Sequence, residues 1–127
     1  MSENTTMHIL HIEDDPADAE LTEIALRGGG LSCDIRLAKS RKECLSALES
    51  GEFDLVLSDS HGHDLKGLEV LHLVRERLPD VPFVFLSGSF DDCDPEELKA
   101  EGAAECILKD DLEALVLVIR RLMQQPL

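Results

Sequence analysis

Phe53-Asp-Leu-Val-Leu-Ser-Asp59 is followed directly by Ser60-His-Gly-His-Asp-Leu-Lys-Gly67, a segment rich in residues that favour turns. A short apolar run bounded by turn residues is typical of a buried strand. Asp59 is therefore predicted to lie where a strand ends and a loop begins. A single aspartate in such a position is usually no more than a turn residue. A functional role for Asp59 depends on whether other charged groups reach the same place.

Four further segments have the pattern of strands. Residues 8–13 (His-Ile-Leu-His-Ile-Glu) are predicted to form a strand, and residues 81–86 form a continuous apolar run, as expected of a strand that is buried on both faces of a sheet. Residues 33–37 alternate apolar and charged side chains, which indicates a half-exposed strand at the edge of the sheet. Residues 106–109 are predicted to form a short fifth strand.

Helix signals separate these strands. Asp15-Pro16 and Asp94-Pro95 each place a capping aspartate before a proline at the first helical position, and Ser40-Arg-Lys-Glu43 has the form of a capping box. The third helix follows Gly67, and the last follows the fifth strand. The apolar residues predicted to face the core are Ala17, Leu21, Ile24 and Ala25 in the first helix, Cys44, Leu45 and Leu48 in the second, Leu68, Leu71 and Leu78 in the third, and Leu112, Leu115, Val116, Ile119, Leu122 and Met123 in the last.

Five predicted strands therefore alternate with five predicted helices. This alternation predicts an α/β fold, a (βα)5 doubly wound parallel sheet with helices on both faces and right-handed crossovers. The amphipathic second strand belongs at the edge and the apolar third strand at the centre, which gives the strand order 2-1-3-4-5. We expect one domain over residues 8–125, preceded by a flexible segment at residues 1–7. In such sheets the functional site lies beyond the carboxyl ends of the strands, where the winding direction reverses between strands 1 and 3.

The composition argues against several classes of function. The net charge of −15 disfavours direct binding to nucleic acid, and the chain has no Trp or Tyr that could stack on bases. No apolar run approaches the ~20 residues needed to cross a bilayer, and the N-terminus lacks the features of a signal peptide. The four cysteines are scattered, so cysteine-based metal or redox chemistry has no support. We expect a cytoplasmic protein that makes no membrane contact.

Polar side chains end each of the inner strands. Glu13 and Asp14 follow the first strand, Asp59 ends the third, Ser87 follows the fourth, and Lys109 ends the fifth. Three carboxylates that lie together repel one another unless a cation is bound among them, and oxygen-only ligands favour Mg²⁺. Mg²⁺ and the lysine together balance three carboxylates, so a phosphoryl group can approach. A carboxylate can then act as the nucleophile and give an aspartyl phosphate.

Four motifs occur in a characteristic order and spacing. They are Ile12-Glu-Asp-Asp-Pro16, Phe53 to Asp59 with Gly67 eight residues later, Phe85-Leu-Ser-Gly88, and Gly102-Ala-Ala-Glu-Cys-Ile-Leu-Lys109. With these motifs the sequence resembles, over essentially its whole length, the receiver domain of two-component response regulators. The resemblance implies a flavodoxin-like fold that accepts a phosphoryl group from the phosphohistidine of a histidine kinase or phosphotransfer protein. It also implies a changed interaction with a downstream effector protein or an attached output domain.

The resemblance implies a role for each matching residue. Asp59 corresponds to the phosphoacceptor. Glu13 and Asp14 correspond to the acidic pair that holds Mg²⁺, with the backbone carbonyl of His61 as a further ligand. Ser87 corresponds to the hydroxyl that hydrogen-bonds the phosphoryl group, and Gly88 to the small residue that leaves room for that group. Lys109 corresponds to the lysine that pairs with the phosphoryl group. Asp15 is interpreted mainly as a helix cap.

The sequence also departs from the usual pattern of the family. His63 stands in place of a common proline, Cys106 in place of the usual aromatic switch residue, and Asp110 in place of the proline that often follows the lysine. These departures leave open a pseudo-receiver that binds partners without being phosphorylated. An independent enzyme on the same architecture is the least favoured alternative, because neither a Walker-A nor a G-x-G-x-x-G phosphate loop is present.

The resemblance leaves the context of the domain open. A receiver catalyses its own phosphorylation and dephosphorylation, and turnover of an external substrate is not implied. The sequence is compatible with a stand-alone receiver or with one module of a larger kinase or cyclic-dinucleotide enzyme. By resemblance, the fourth helix, fifth strand and fifth helix form the face that contacts a partner or a second copy in a homodimer. The charged residues that could contribute to that face are Glu96, Glu97, Lys99, Arg120 and Arg121, and a solvated surface is the default interpretation for them.

Overall fold

The computed structural model describes residues 6–60, 66–91 and 94–123. Within these ranges five strands alternate with five helices and form one parallel sheet in the order β2-β1-β3-β4-β5. The predicted fold class and strand order are therefore confirmed. The elements are β1 (Met7–Ile12), α1 (Pro16–Gly28), β2 (Cys33–Ala38), α2 (Arg41–Ser50), β3 (Leu55–Asp59), α3 (Gly67–Arg77), β4 (Phe83–Ser87), α4 (Pro95–Ala100), β5 (Glu105–Leu108) and α5 (Leu112–Met123).

The sheet separates two apolar clusters. One cluster packs Leu10 and Phe85 of the sheet against α2, α3 and α4. The other packs Ile9 and Leu57 against Leu26 of α1 and against α5. Every residue of β3 and β4 is buried, as expected for central strands of a sheet covered on both faces. The carboxyl ends of these strands are thereby held in fixed positions.

The predicted helix caps are present. The Asp15 carboxylate accepts hydrogen bonds from the backbone N–H groups of Ala17 and Asp18, at 2.9 and 3.3 Å. The Ser40 hydroxyl accepts from the N–H of Glu43 at 3.2 Å, and Asp94 caps α4 in the same manner as Asp15. These hydrogen bonds satisfy backbone N–H groups at the start of each helix, which have no acceptor within the helix itself.

The predicted inward face of α1 is wrong. Leu21 and Ile24 are 56% and 59% exposed, and the residues that face the core are Ala19, Thr22 and Leu26. Thr22 can be buried because its hydroxyl donates to the Asp18 carbonyl at 2.9 Å. The buried face of α1 therefore lies to one side of the predicted apolar stripe, and the pattern missed it because Thr22 is polar.

The third and fifth helices follow the predicted pattern more closely. In α3 the buried residues include Leu71, as predicted, but Leu68 is 42% exposed because the core-facing line runs through Gly67, Val70 and Val74. In α5 all of the predicted stripe is buried or half-buried. None of the helices in the described ranges is long and apolar enough to cross a membrane.

Candidate functional site

The parallel register aligns the tips of four strands. Ile12 of β1 pairs with Ser58 of β3, so the residues that follow, Glu13 and Asp59, emerge side by side. The next strands continue the alignment: Asp59 pairs with Leu86 of β4, and the following Ser87 pairs with Leu108 of β5. The predicted site residues of the described ranges therefore reach the same edge of the sheet.

Three carboxylates form a compact cluster at this edge. One oxygen each from Glu13, Asp14 and Asp59 lies within 4.8 Å of the other two. The Glu13 side chain is 1% exposed and that of Asp59 is 10% exposed. Hard divalent ions such as Mg²⁺ prefer oxygen ligands of this kind, so the donor set fits Mg²⁺. The predicted ligand His61 and the substituted position His63 lie outside the described residues.

Lys109 contacts two members of this cluster and one further acid. Its ammonium nitrogen lies 2.9 Å from Glu13 Oε1, 3.4 Å from Asp59 Oδ1 and 2.7 Å from Asp18 Oδ2. Asp18 is not among the predicted site residues, because an acid in the first turn of a helix is already explained by the helix dipole. A clue was available, since α1 begins two residues after Asp14 and its first turn must lie beside the strand tip.

Burial and charge shift the pKa values of this group. Burial of the Glu13 carboxyl raises its pKa to about 7; the Asp59 charge adds to this effect, and the Lys109 ammonium opposes it. For Lys109, burial alone would lower the pKa, but hydrogen bonds to Asp18 and Glu13 outweigh it and raise the pKa above its usual value. The lysine is therefore a permanent positive charge, and Glu13 changes its charge near neutral pH.

Ser87 and Gly88 form the β4 side of the site. The buried Ser87 hydroxyl donates to the carbonyl of Ser89 and accepts from the Ser89 N–H at 3.2 Å. The Lys109 N–H donates to the Ser87 carbonyl at 2.7 Å, which joins the tips of β4 and β5. At Gly88, apart from its two neighbours in the chain, no atom of the described residues lies within 4 Å of the position that a Cβ would take.

Gly67 sets the distance between α3 and the loop that follows Asp59. A Cβ at Gly67 would lie 2.8 Å from Cε1 of Phe85 and 3.3 Å from Cα of Ser60. Any side chain there would push the start of α3 away from β4 or away from the loop. The glycine is therefore required for the close packing next to the carboxylate cluster.

The profile of the response regulator receiver domain family matches residues 9–120. The chain belongs to this family. The predicted resemblance is thereby confirmed, and the chain is a response regulator receiver domain of two-component signalling. The acidic cluster is compatible with the Mg²⁺ binding of receiver domains.

Individual relatives agree with this assignment of the receiver domain. The regulatory protein LuxO of Vibrio cholerae is 33% identical over 81 residues, which are 62% of this chain and 17% of LuxO. The DNA-binding transcriptional regulator NtrC of Klebsiella pneumoniae is 31% identical over 122 residues, 91% of this chain and 26% of NtrC. The chain thus spans only a small part of the length of these relatives. The response regulator TrrA of Thermotoga maritima, solved in complex with Mg²⁺ and BeF, is 26% identical, with a TM-score of 0.78 over 92% of this chain and 99% of TrrA.

The α4–β5–α5 face of this receiver domain carries an ion-pair network. Glu105 of β5 pairs with Lys99 of α4 at 3.4 Å and with Arg121 of α5 at 2.9 Å. Arg120 was a candidate for this face, but its guanidinium donates to the carbonyl of Gly29 at the end of α1. Cys106 is half-buried beside the network, with its sulfur 4.0 Å from the carbonyl oxygen of Pro95.

Proposed function

We propose that the chain accepts a phosphoryl group on Asp59 in a Mg²⁺-dependent reaction. The observation that carries this proposal is the convergence of the Glu13, Asp14 and Asp59 carboxylates with the Lys109 ammonium at one strand edge. Asp59 is nearly buried yet retains a small exposed fraction through which a donor phosphorus can approach. Phosphoryl transfer requires positioning and charge neutralisation more than covalent assistance, and this group of residues supplies both.

The proposed reaction needs little from the protein beyond this geometry. A carboxylate oxygen of Asp59 forms the bond to phosphorus while the bond from phosphorus to the donor's imidazole nitrogen breaks, and the leaving imidazole takes up a proton. Glu13, Asp14 and Asp59 would hold the Mg²⁺, with the His61 carbonyl as a proposed further ligand. The bound ion supplies charge neutralisation at the phosphoryl oxygens. Lys109 supplies a second positive charge from the β5 side.

Ser87 and Gly88 have secondary roles in this proposal. The Ser87 hydroxyl leaves its bond to the Ser89 carbonyl and donates to a phosphoryl oxygen. Gly88 leaves open space beside that oxygen. The exchange of one hydrogen-bond partner for another links the phosphorylation state to the β4–α4 loop.

The partners follow from the family and from the charged face of the domain. The phosphodonor is a histidine kinase or phosphotransfer protein, and the recipient is an effector protein or an attached output domain. We propose that the recipient contacts the α4–β5–α5 face. Cys106 has no aromatic ring whose rotation could signal phosphorylation. In this proposal, the Lys99–Glu105 and Arg121–Glu105 ion pairs rearrange instead. The same face would form the interface between two copies of the chain in a homodimer.

Intact-mass measurement after incubation with acetyl phosphate and Mg²⁺ tests the proposal. The wild-type chain is expected to gain the mass of one phosphoryl group, and the gain should disappear with chelation of Mg²⁺. Asp59→Asn should gain nothing. Asp54→Asn is the matched control, because Asp54 lies at the opposite end of the same segment and accepts from the His8 N–H. Labelling of Asp59→Asn, or no labelling of a folded wild type, would overturn the proposal; the second result would favour a pseudo-receiver.

A further inference from the structure

Among the residues that the structure describes, Asp18 makes the shortest ion-pair contact with the Lys109 ammonium. The distance from Lys109 Nζ to Asp18 Oδ2 is 2.7 Å, against 2.9 Å to Glu13 and 3.4 Å to Asp59. We propose that Asp18 is a positioning residue that keeps the Lys109 ammonium on the α1 side of the site and thereby weakens phosphoryl binding at Asp59. This inference rests on the proposed function of Asp59.

The backbone of Asp18 is fixed from both sides. Its N–H donates to the Asp15 carboxylate at 3.3 Å, and its carbonyl accepts from the Thr22 hydroxyl at 2.9 Å. The carboxylate of Asp18 therefore projects from a rigid first turn of α1. Its side chain does not belong to the three-carboxylate cluster, so an ion bound to that cluster would leave the Asp18 carboxylate available to the lysine.

Asp18 also changes the charge balance of the site. Mg²⁺ and Lys109 balance the three clustered carboxylates, and Asp18 adds one negative charge in excess. A phosphoryl group is itself an anion, so this charge opposes its binding. An ammonium has three N–H donors, and Asp18 occupies one of them at hydrogen-bond distance. Lys109 must share its remaining donors between Glu13 and an incoming phosphoryl oxygen.

A purely structural role would leave phosphoryl binding unchanged. An acid in the first turn stabilises a helix through the dipole, and its loss would lower the stability of α1 without changing Lys109. The two roles are separated by measuring the binding of a phosphoryl analogue and the state of the lysine directly. The structure offers a matched control in Glu20, an exposed acid on the same helix.

Isothermal titration calorimetry with beryllofluoride and Mg²⁺ measures the first quantity, and it suits a chain without Trp or Tyr. Asp18→Asn is expected to bind beryllofluoride about three- to fivefold more tightly than wild type, the range of a partly exposed ion pair. Glu20→Gln should bind like the wild type. Equal or weaker binding by Asp18→Asn would overturn the inference. No binding by folded wild type would overturn the proposed function itself, and with it this inference.

Nuclear magnetic resonance of the lysine side chains supplies the second readout. Without the Asp18 carboxylate, the chemical shift of the Lys109 ammonium group should change at a fixed neutral pH, and it should stay unchanged in Glu20→Gln. A loss of helix stability alone would not shift the Lys109 signal in a protein that remains folded. Tighter beryllofluoride binding with an unchanged Lys109 signal would overturn the claim that Asp18 acts through the lysine.

Discussion

At Glu13, burial favours the neutral carboxyl, whereas a metal ion requires the carboxylate. The folded-state pKa of about 7 lies above the ordinary value of 4.5, so Glu13 takes up a proton as the pH falls below neutrality. Binding of a cation to this cluster must then displace that proton.

Mg²⁺ affinity is therefore expected to fall with acidification. The apparent dissociation constant should rise by up to about tenfold per pH unit below neutrality, because each bound ion releases one proton from Glu13. Calorimetric titration of Mg²⁺ at several pH values measures this dependence. The Glu13→Gln variant should bind Mg²⁺ more weakly at every pH, and the dependence of its Mg²⁺ affinity on pH should be largely lost. An affinity of the wild type that is constant below neutral pH would contradict the burial argument.

His11 is a buried polar residue that the candidate site does not use. It is 1% exposed, its Nε2 has no hydrogen-bond partner among the described residues, and it lines a cavity of about 200 Å³ between α1 and β2. Burial lowers the pKa of His11 to about 4, and the nearby Lys109 charge acts in the same direction. The burial of His11 could not be predicted from the strand pattern, because one histidine in an apolar run does not change that pattern.

The lowered pKa of His11 predicts a loss of stability in acid. The unfolded chain takes up the proton near pH 6.5, and the folded chain does so only near pH 4. Stability is therefore lost as the pH falls through this window, by as much as about 3 kcal/mol. Glu13 acts in the opposite sense, since its raised pKa removes stability as the pH rises from 4.5 to about 7.

Comparison with His11→Leu isolates the histidine from the effect of Glu13. The variant should be more stable by about 1 kcal/mol at neutral pH, because a buried atom without a partner is removed. Its advantage should grow as the pH falls. Urea unfolding followed by circular dichroism, at neutral and mildly acidic pH, measures both differences. A constant difference between variant and wild type would show that His11 does not titrate as argued.

At the level of elements, α1 shows where sequence patterns succeed and fail. The start of α1 was predictable because Asp15 and Pro16 act locally, through hydrogen bonds and a fixed φ. Its orientation was not predictable, because the small Ala19 and the polar Thr22 face the core beside Leu26, whereas Leu21 and Ile24 face outward. The preference of Thr22 for the core depends on a hydrogen bond that only the folded helix provides.

The orientation of α1 predicts unequal effects of truncating its two leucines. Leu26→Ala should lower the free energy of unfolding by about 2–5 kcal/mol, because Leu26 is fully buried in the cluster with α5. Leu21→Ala, on the exposed side, should change it by no more than about 0.5 kcal/mol. Chemical denaturation of both variants measures the difference. Similar losses for the two leucines would contradict this orientation, and a larger loss for Leu21→Ala would mean that the helix is oriented as the sequence pattern alone suggested.

At the level of the whole molecule, the topology could be predicted because each strand and helix is recognisable from a short stretch of sequence. Alternating strand and helix patterns define a parallel sheet, and the apolar or amphipathic character of the strands orders them. Parallel strands then bring Glu13, Asp59 and Lys109 to one edge without further information. The partners of Lys109 could not be assigned in full, because Asp18 meets it across 91 positions of sequence, where the first turn of α1 contacts the residue that follows β5.

The most direct test of the account is the identity of the residue that carries the phosphate. Borohydride reduces an aspartyl phosphate to homoserine, and tandem mass spectrometry of the reduced peptides locates the changed position. After treatment with acetyl phosphate and Mg²⁺, homoserine is expected at Asp59 and at no other aspartate. Homoserine at a different aspartate, or phosphate retained on a serine or histidine with Asp59 unmodified, would contradict the account.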